Sequence, residues 1–310
     1  MFKRKSILVA LLLLALLVFA GCNQTKEPDL PGDELTTRSV VDRHGDEHIV
    51  PAEIERVISY SPTFTQIILD LGLADILVAV DTNSERFYEI PEGVEAFDMM
   101  SPDNEMLISL EPDLVIVTDM TAAGGAEDPF ALLKSGGVSV VTVQTPDTLD
   151  EIAQDVAFLA HVLGKKEEGQ ELAHNMYTAI DLYKDLGAAV ESAKTVYFEI
   201  GAAPYSYSFG QGVFLNEMIE MLGAVNIFGD EDGWLAVTAE AAVALDPEVI
   251  FTNVDYLEDP VDELLTREGW QDIQAIQNNE VYLIDSNASS QANHHVIDAL
   301  EEMAIALGLK

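Results

Sequence analysis

The sequence predicts an α/β fold in which two Rossmann-like lobes of parallel β-sheet are joined by one long rigid helix, with a ligand cleft between the lobes. Three observations lead to this prediction. Short apolar runs of strand length alternate with helical patterns, a helix–strand motif occurs twice, and an amphipathic segment separates the two halves. Such alternation is typical of parallel sheets that helices cover on both faces.

The first 21 residues are typical of a secretion signal. A basic start (MFKRKS) precedes an apolar run over residues 7–20, which is too short to span a membrane comfortably. The sequence VFAGC resembles a lipobox, at which signal peptidase cuts before Cys22 and the thiol is lipidated, although Phe19 replaces the more common leucine. An ordinary signal peptide is the alternative. Residues 22–37 are predicted to form a lipidated tether that anchors an extracytoplasmic protein to the cell membrane.

The chain is strongly acidic. It has 55 acidic and 15 basic residues, a formal net charge of −40. Such a surface repels nucleic acid and anionic membranes, which argues against both as partners. The acids are spread along the chain, which favours adaptation to salty or alkaline surroundings over an acidic binding site.

The N-terminal lobe is predicted at residues 38–163, the connecting helix at 164–193 and the C-terminal lobe at 194–310. The connecting segment has apolar residues every three or four positions and would reach roughly 40 Å. Gly187 is a position at which this helix could bend or end. Predicted strands lie at 56–61, 76–80, 114–118 and 138–143 in the first lobe, and at 195–200, 249–253 and 281–285 in the second.

The two lobes are predicted to be similar in design. TFTQIILDLG (63–72) and FLNEMIEMLG (214–223) both indicate helices that end at Leu-Gly. NEMLISLEPDLVIVTD (104–119) and AEAAVALDPEVIFTN (239–253) share a Glu, then Leu at +5, Pro at +7, an acid at +8 and four apolar residues. Ligands of open parallel sheets bind beyond the carboxyl ends of the strands, so two facing edges would form the cleft.

These motifs, in this order, resemble those of ABC-importer substrate-binding proteins of the helical-backbone class, which serves cobalamin, ferric siderophores and haem. The resemblance covers residues 38–308. It includes an opening hairpin and the stretches RVISYSPTFTQ, EMLISLEPDLVIV and TREGWQDIQAIQNNEVYLID. It implies a receptor that captures an iron complex or cobamide and delivers it to permease and ATPase subunits. The alternatives are a receptor for a bare metal ion or oxyanion, a metal-site enzyme on a similar two-lobed fold, and a surface adhesin.

The resemblance also implies docking residues. In this family a glutamate on each lobe docks into arginine pockets of the permease, and the matching positions are Glu105 and Glu240. Stabilisation of the helix dipole by a first-turn carboxylate is the local alternative.

No nucleophile elbow, phosphate-binding loop, paired-cysteine motif or zinc-protease motif occurs in the sequence. We therefore predict no enzyme activity, no cofactor and no metal site. His44 and His48 have a spacing that suits a metal only on a helix, and Gly45-Asp46 between them favours a solvated hairpin loop.

The candidate ligand-binding residues lie on loops that follow predicted strands. Aromatic rings on the loops of the second lobe would form a flat wall for a macrocycle or chelate, and packing into the core is the alternative. His294 and His295 are adjacent, so at most one is expected to face a ligand, because neighbours on a helix point about 100° apart. Only Arg86 brings a positive charge near these loops, which favours a neutral or weakly charged ligand. The full candidate set is Tyr60, Phe64, Asn83, Tyr205, Tyr207, Phe209, Trp234, Tyr256, His294 and His295.

Overall fold

The computed structural model describes residues 36–122 and 128–310. The predicted signal peptide, the lipidation of Cys22 and the tether up to residue 35 therefore lie outside the described residues. Within the described part of the chain, no helix has the length and apolar character needed to cross a membrane. Thr37–Lys310 form one compact unit.

Strands and helices alternate along most of the described chain. The strands are β1 (Thr37–Val41), β2 (Glu47–Pro51), β3 (Val57–Ser59), β4 (Leu77–Asp81), β5 (Glu95–Phe97), β6 (Leu114–Thr118), β7 (Ser139–Val143), β8 (Thr195–Glu199), β9 (Tyr207–Phe209), β10 (Val225–Asn226), β11 (Trp234–Ala236), β12 (Val249–Thr252) and β13 (Val281–Leu283). The α-helices are α1 (Pro62–Asp70), α2 (Thr82–Phe87), α3 (Asn104–Ser109), α4 (Asp119–Ala122), α5 (Ala131–Ser135), α6 (Leu149–Val162), α7 (Lys166–Ala188), α8 (Phe214–Met221), α9 (Ala239–Leu245), α10 (Pro260–Thr266), α11 (Gln274–Asn278), α12 (Ser286–Ser290) and α13 (Val296–Ala306). A 3-10 turn (Ala74–Ile76) precedes β4.

Two parallel sheets form the two lobes. The first has the strand order β5-β4-β3-β6-β7 and the second has the order β10-β8-β12-β13. The hairpin β1–β2 opens the described chain, and a second antiparallel pair, β9–β11, belongs to the second lobe. The predicted α/β fold with two lobes of parallel sheet is confirmed.

The strands that the sequence predicts are all present, and β6 has the predicted bounds. The strands that the sequence analysis missed, β5, β9, β10 and β11, have two or three residues each. β3 and β13 have three residues as well, but each lies inside a longer predicted strand, 56–61 and 281–285.

The predicted connecting helix is α7, which ends at Ala188 rather than at residue 193. Its 23 residues reach about 35 Å. It follows α6 after a turn at Gly164, whose φ of 78° is easiest for glycine. The lobe boundaries at residues 163 and 194 stay predictions.

One apolar core extends through both lobes. It contains inward residues of both sheets, such as Ile116 and Phe251, together with Leu159 of α6 and Met176 of α7. Each sheet also packs its other face on a smaller core of its own. Helices α6 and α7 thus pack on core residues of both lobes.

The repeated motif is repeated in three dimensions. Helix α3 leads into β6 and helix α9 leads into β12, and these two strands are central in their sheets. Glu111 and Asp246, at matching positions, have φ angles of 47° and 45°. Both precede a proline, which disfavours the right-handed helical region for them and so ends each helix.

The R-x-G-W stretch stabilises the second lobe. The Arg267 guanidinium donates two hydrogen bonds, of 2.7 and 2.8 Å, to the buried Glu199 carboxylate and lies 4.4 Å from the ring of Trp270. Burial opposes the charge on Arg267, but the bonds to Glu199 and Glu263 outweigh it and raise the pKa of Arg267. The motif therefore holds α10 against the carboxyl end of β8.

Helix α7 packs directly on the backbone at the end of α8. A β-carbon built on Gly187 would lie 1.9 Å from the Met221 carbonyl oxygen and 2.8 Å from the Leu222 carbonyl carbon. These neighbours are main-chain atoms, which cannot rotate away. Gly187 is therefore a contact point between two helices and lies one residue before the end of α7.

We expect Gly187→Ala to lower the free energy of unfolding by about 1–3 kcal/mol, because the extra methyl group overpacks this contact. Helix propensity alone would make the same change stabilising by about 1 kcal/mol. Thermal and urea unfolding measure the difference, with Asp185→Ala, at an exposed position of the same helix, as the control. A Gly187→Ala protein more stable than wild type would contradict the close approach.

Candidate functional site

The carboxyl ends of both parallel sheets meet at an interlobe cleft. Two adjoining cavities there, of about 220 Å³ and about 330 Å³, are both lined by Ser290 and Gln291, and a third, of about 540 Å³, shares Arg86 and Asp255 with the second. The first extends towards α6, and the second opens between α2 and the loop after β12. The prediction that the site lies between the lobes agrees with this placement.

The first cavity is mainly apolar. Phe64 of α1 and Leu159 of α6 line it from the first lobe and the shared helices, and Phe214 and Trp234 line it from the second lobe. Trp234 is 56% exposed and contacts the ring of Phe209 edge-on at 6.1 Å between centroids. An exposed indole held by a buried ring is suited to packing against a flat, apolar ligand.

The second cavity is polar. Asn83 and Arg86 line it from the first lobe, and Asn253, Asp255 and Tyr256 line it from the second. Tyr256 is 62% exposed, and its hydroxyl accepts a hydrogen bond of 2.7 Å from the Ala202 amide. Its ring is thereby held at the cleft surface.

Side chains from the two lobes touch across the cleft. The Thr63 hydroxyl donates to Gln291 Oε1 at 3.0 Å, between the two cavities. Arg86 forms an ion pair with Asp255, and the Tyr88 hydroxyl donates to Asn287 Oδ1 at 2.9 Å. The structure therefore has the lobes in direct contact.

The cleft carries little positive charge. Of the described residues that line the two cavities, only Arg86 is cationic, and Asp255 pairs with it. Asp155 faces the first cavity and pairs with Arg43. Burial raises the pKa of the Asp155 carboxyl to about 6, against the lowering effect of the Arg43 guanidinium. Such surroundings favour a neutral or weakly charged ligand over a polyanion.

Four of the predicted ligand-binding residues line the cleft cavities: Phe64, Asn83, Trp234 and Tyr256. Tyr205 and Tyr207 are 79% and 47% exposed and lie outside the cavity linings, on or beside the β9 strand. Their contact with a ligand stays a prediction.

The placement of Tyr60 and Phe209 requires a correction. Both are fully buried, so neither offers a surface to a ligand. Tyr60 packs edge-on against Phe97 and Phe130, with centroids at 4.6 and 5.3 Å, and Phe209 packs against Phe198. Position after a strand does not distinguish a ring turned towards the core from one turned towards the cleft.

His294 and His295 also differ from expectation. They precede α13 in a turn, so the 100° separation of helical neighbours does not apply, and both rings face Asp70. Hydrogen bonding to Asp70 raises the pKa of His295 to about 9, with burial opposing it and Asp298 adding to it. Burial opposes ionisation of Asp70, but hydrogen bonds from His294, His295 and Gln66 outweigh it and hold the pKa of Asp70 far below its usual range. Neither histidine lines the two cleft cavities.

His44 and His48 lie at the β1–β2 hairpin, as expected. His48 Nε2 lies 2.9 Å from Asp42 Oδ2, and the His48 ring packs on the ring of Phe158 with 5.2 Å between centroids. These contacts favour a structural role for His48 over metal binding.

Glu105 and Glu240 are both exposed and lie in the first turns of α3 and α9. Side chains of Asp103 and Thr238 cap these helices by accepting hydrogen bonds from backbone amides. The caps therefore do not need the glutamates, which remain accessible to a partner.

Residue-level reasoning missed Thr63, Asp255 and Gln291 as cleft residues. Thr63 lies in the first turn of α1, shortly after β3, where the sequence alone does not distinguish a cleft residue from an ordinary helix start. Gln291 follows the short helix α12, which has no apolar period to reveal it. Only the fold brings it opposite Thr63.

The family model described as periplasmic binding protein matches residues 57–288, more than half of the chain. The chain is 28% identical over 308 residues to the uncharacterized ABC transporter substrate-binding lipoprotein YvrC of Bacillus subtilis, covering 97% of this chain and 96% of that protein. It is 28% identical over 261 residues to the vitamin B12-binding protein of Vibrio cholerae, covering 83% and 90%. The crystal structure of the periplasmic vitamin B12-binding protein BtuF of Vibrio cholerae matches with a TM-score of 0.66 and 26% identity, covering 83% of this chain and 97% of that one.

Proposed function

Because this chain belongs to the periplasmic binding protein family, an extracytoplasmic class of binding proteins, we propose that it is the substrate-binding component of an ABC importer. In this role it captures a neutral or weakly charged metal chelate or a corrinoid between its lobes. The vitamin B12-binding relative and the lipoprotein relative support this proposal. Because YvrC is a lipoprotein, it also supports lipidation of this chain at Cys22, which would anchor the receptor to the membrane.

The observation that carries the proposal is the composition of the cleft. An apolar cavity with an exposed indole adjoins a polar cavity with an exposed phenol ring, and the only cation lining either described cavity is paired. Ligand sites measure about 300–1,000 Å³, so separation of Thr63 and Gln291 would merge the two cavities into one site of suitable size. Trp234 then lines the apolar part of this site and Tyr256 the polar part.

Binding without turnover is the expected activity, and the absence of catalytic signatures from the sequence supports it. Native mass spectrometry of protein purified from its own cells should detect a one-to-one complex and give the mass of the ligand. Titration with cyanocobalamin, haem and a neutral ferric hydroxamate then tests each chemical class. Conversion of these compounds without a stoichiometric complex would favour an enzyme instead.

We expect Trp234→Ala and Tyr256→Ala each to weaken ligand binding tenfold to a hundredfold, about 1–3 kcal/mol, because aromatic residues in pockets often dominate affinity. The melting temperature should change little, since both side chains are exposed. Tyr177→Ala, on α7, is the matched control for loss of an accessible tyrosine and should keep the wild-type affinity. Unchanged affinity in both cleft variants, with a ligand that binds the wild type, would place the ligand elsewhere.

We propose that Glu105 and Glu240 dock the receptor on cationic sites of the permease. Reversal of charge in Glu105→Arg or Glu240→Arg should abolish uptake and leave ligand affinity unchanged, because neither residue lines the cleft cavities and a reversed charge repels the partner. Ligand affinity of the purified variants and uptake in cells are measured together. Glu171→Arg makes the same charge change on α7 and should transport normally. Normal uptake by the Glu105→Arg, Glu240→Arg double variant would exclude this docking role.

A further inference from the structure

A second polar cluster joins the lobes outside the two cleft cavities. Asp70 ends α1 in the first lobe, whereas His294 and His295 precede α13 in the second. The Nε2 atoms of His294 and His295 lie 3.0 and 2.9 Å from the same oxygen, Asp70 Oδ2. The function proposed above uses none of these three side chains.

The spacing of these atoms suits a shared metal ion. One ligand atom from each residue can be chosen so that all three lie within 4.8 Å of one another. For metal–ligand bonds of about 2.1 Å, neighbouring ligand atoms are roughly 3.0 Å apart at a right angle and roughly 3.4 Å apart at the tetrahedral angle. The observed nitrogen–oxygen distances equal the shorter of these values, so small side-chain shifts would admit an ion between the three groups.

The surroundings orient one of the rings. His295 Nδ1 lies 2.8 Å from Asp298 Oδ2, so a carboxylate holds the ring nitrogen opposite the one that faces Asp70. Metal-binding histidines are commonly held in this way by an outer carboxylate. The Asn293 side chain accepts a hydrogen bond of 2.9 Å from the His295 amide, which stabilises the turn that brings both rings together.

We propose that Asp70, His294 and His295 form a binding site for a divalent transition-metal ion of the Zn²⁺ class. Two imidazoles and one carboxylate are the donors that such ions prefer, whereas Mg²⁺ and Ca²⁺ prefer oxygen ligands alone. With three protein ligands, the ion keeps positions for water and is exchangeable. Because the ligands come from both lobes, the ion would tie the lobes together beside the cleft.

The test is titration of metal-free protein with Zn²⁺ against a chromophoric zinc indicator. A large excess of Mg²⁺ is included to occupy the acidic surface. We expect one tight Zn²⁺ per chain, and a Zn²⁺-dependent rise in melting temperature. Asp70→Asn and His294→Gln should each weaken binding at least tenfold, and Asp298→Asn, which changes a positioning residue, should weaken it less. Substitution of Co²⁺ should produce visible absorption bands that report nitrogen and oxygen ligands.

The matched control is the double variant His44→Gln, His48→Gln, which removes the other histidine pair of described residues and should bind Zn²⁺ as the wild type does. Far-ultraviolet circular dichroism verifies that each variant is folded. Tight binding retained in an Asp70→Asn, His294→Gln, His295→Gln triple variant, or absent from the wild type, would overturn the proposal. The titration contains no iron chelate or corrinoid, and the triple variant leaves the residues that line the cleft cavities unchanged, so its result is independent of the function proposed for the cleft.

Discussion

The apolar core that the two sheets share is the constraint on which the rest of the structure depends. Each sheet packs one face on this core, and α6 and α7 contribute residues to it along their length. Burial of apolar surface stabilises a protein by about 25 cal/mol per Å². Separation of the lobes through this region would expose apolar surface, and no single contact across the cleft could offset the free energy that this costs. The contact of Gly187 with the backbone after α8 fixes the second lobe at one further point.

The cleft follows from this arrangement. Within each lobe the sheet strands are parallel, so their carboxyl ends lie at one edge of the sheet. These ends and the loops that follow them face the space between the two sheets. The loops after β3 and β4 therefore face those after β12 and β13, and Thr63 meets Gln291. The side chains differ across the cleft: apolar and aromatic near α6, polar near α2. A ligand with a flat apolar body and a polar edge would match both regions at once.

The sequence best predicted the strands that are long enough to carry a continuous apolar run. Leu114–Thr118 is the clearest example, with four fully buried residues. Residues on loops were predicted less well, since a loop ring can face either the core or solvent. Tyr60 directly follows β3 and is buried, whereas Trp234 begins β11 and is exposed. His294 and His295 lie in a turn rather than in a helix, so the side-chain separation expected for helical neighbours does not apply to them. Contacts between segments far apart in sequence, such as Thr63 with Gln291, depend on the three-dimensional fold and leave no local pattern.

The repeated helix–strand motif has a mechanical consequence. Glu105 and Glu240 lie on short helices whose following strands, β6 and β12, are rooted in the same core. The separation of the two carboxylates is therefore tied to the relative rotation of the lobes, and that rotation is limited by the shared helices. A membrane partner that binds both carboxylates would therefore be sensitive to the distance between them. Occupancy of the cleft could then be sensed as a small change in length between two fixed charges, without any large rearrangement of the receptor.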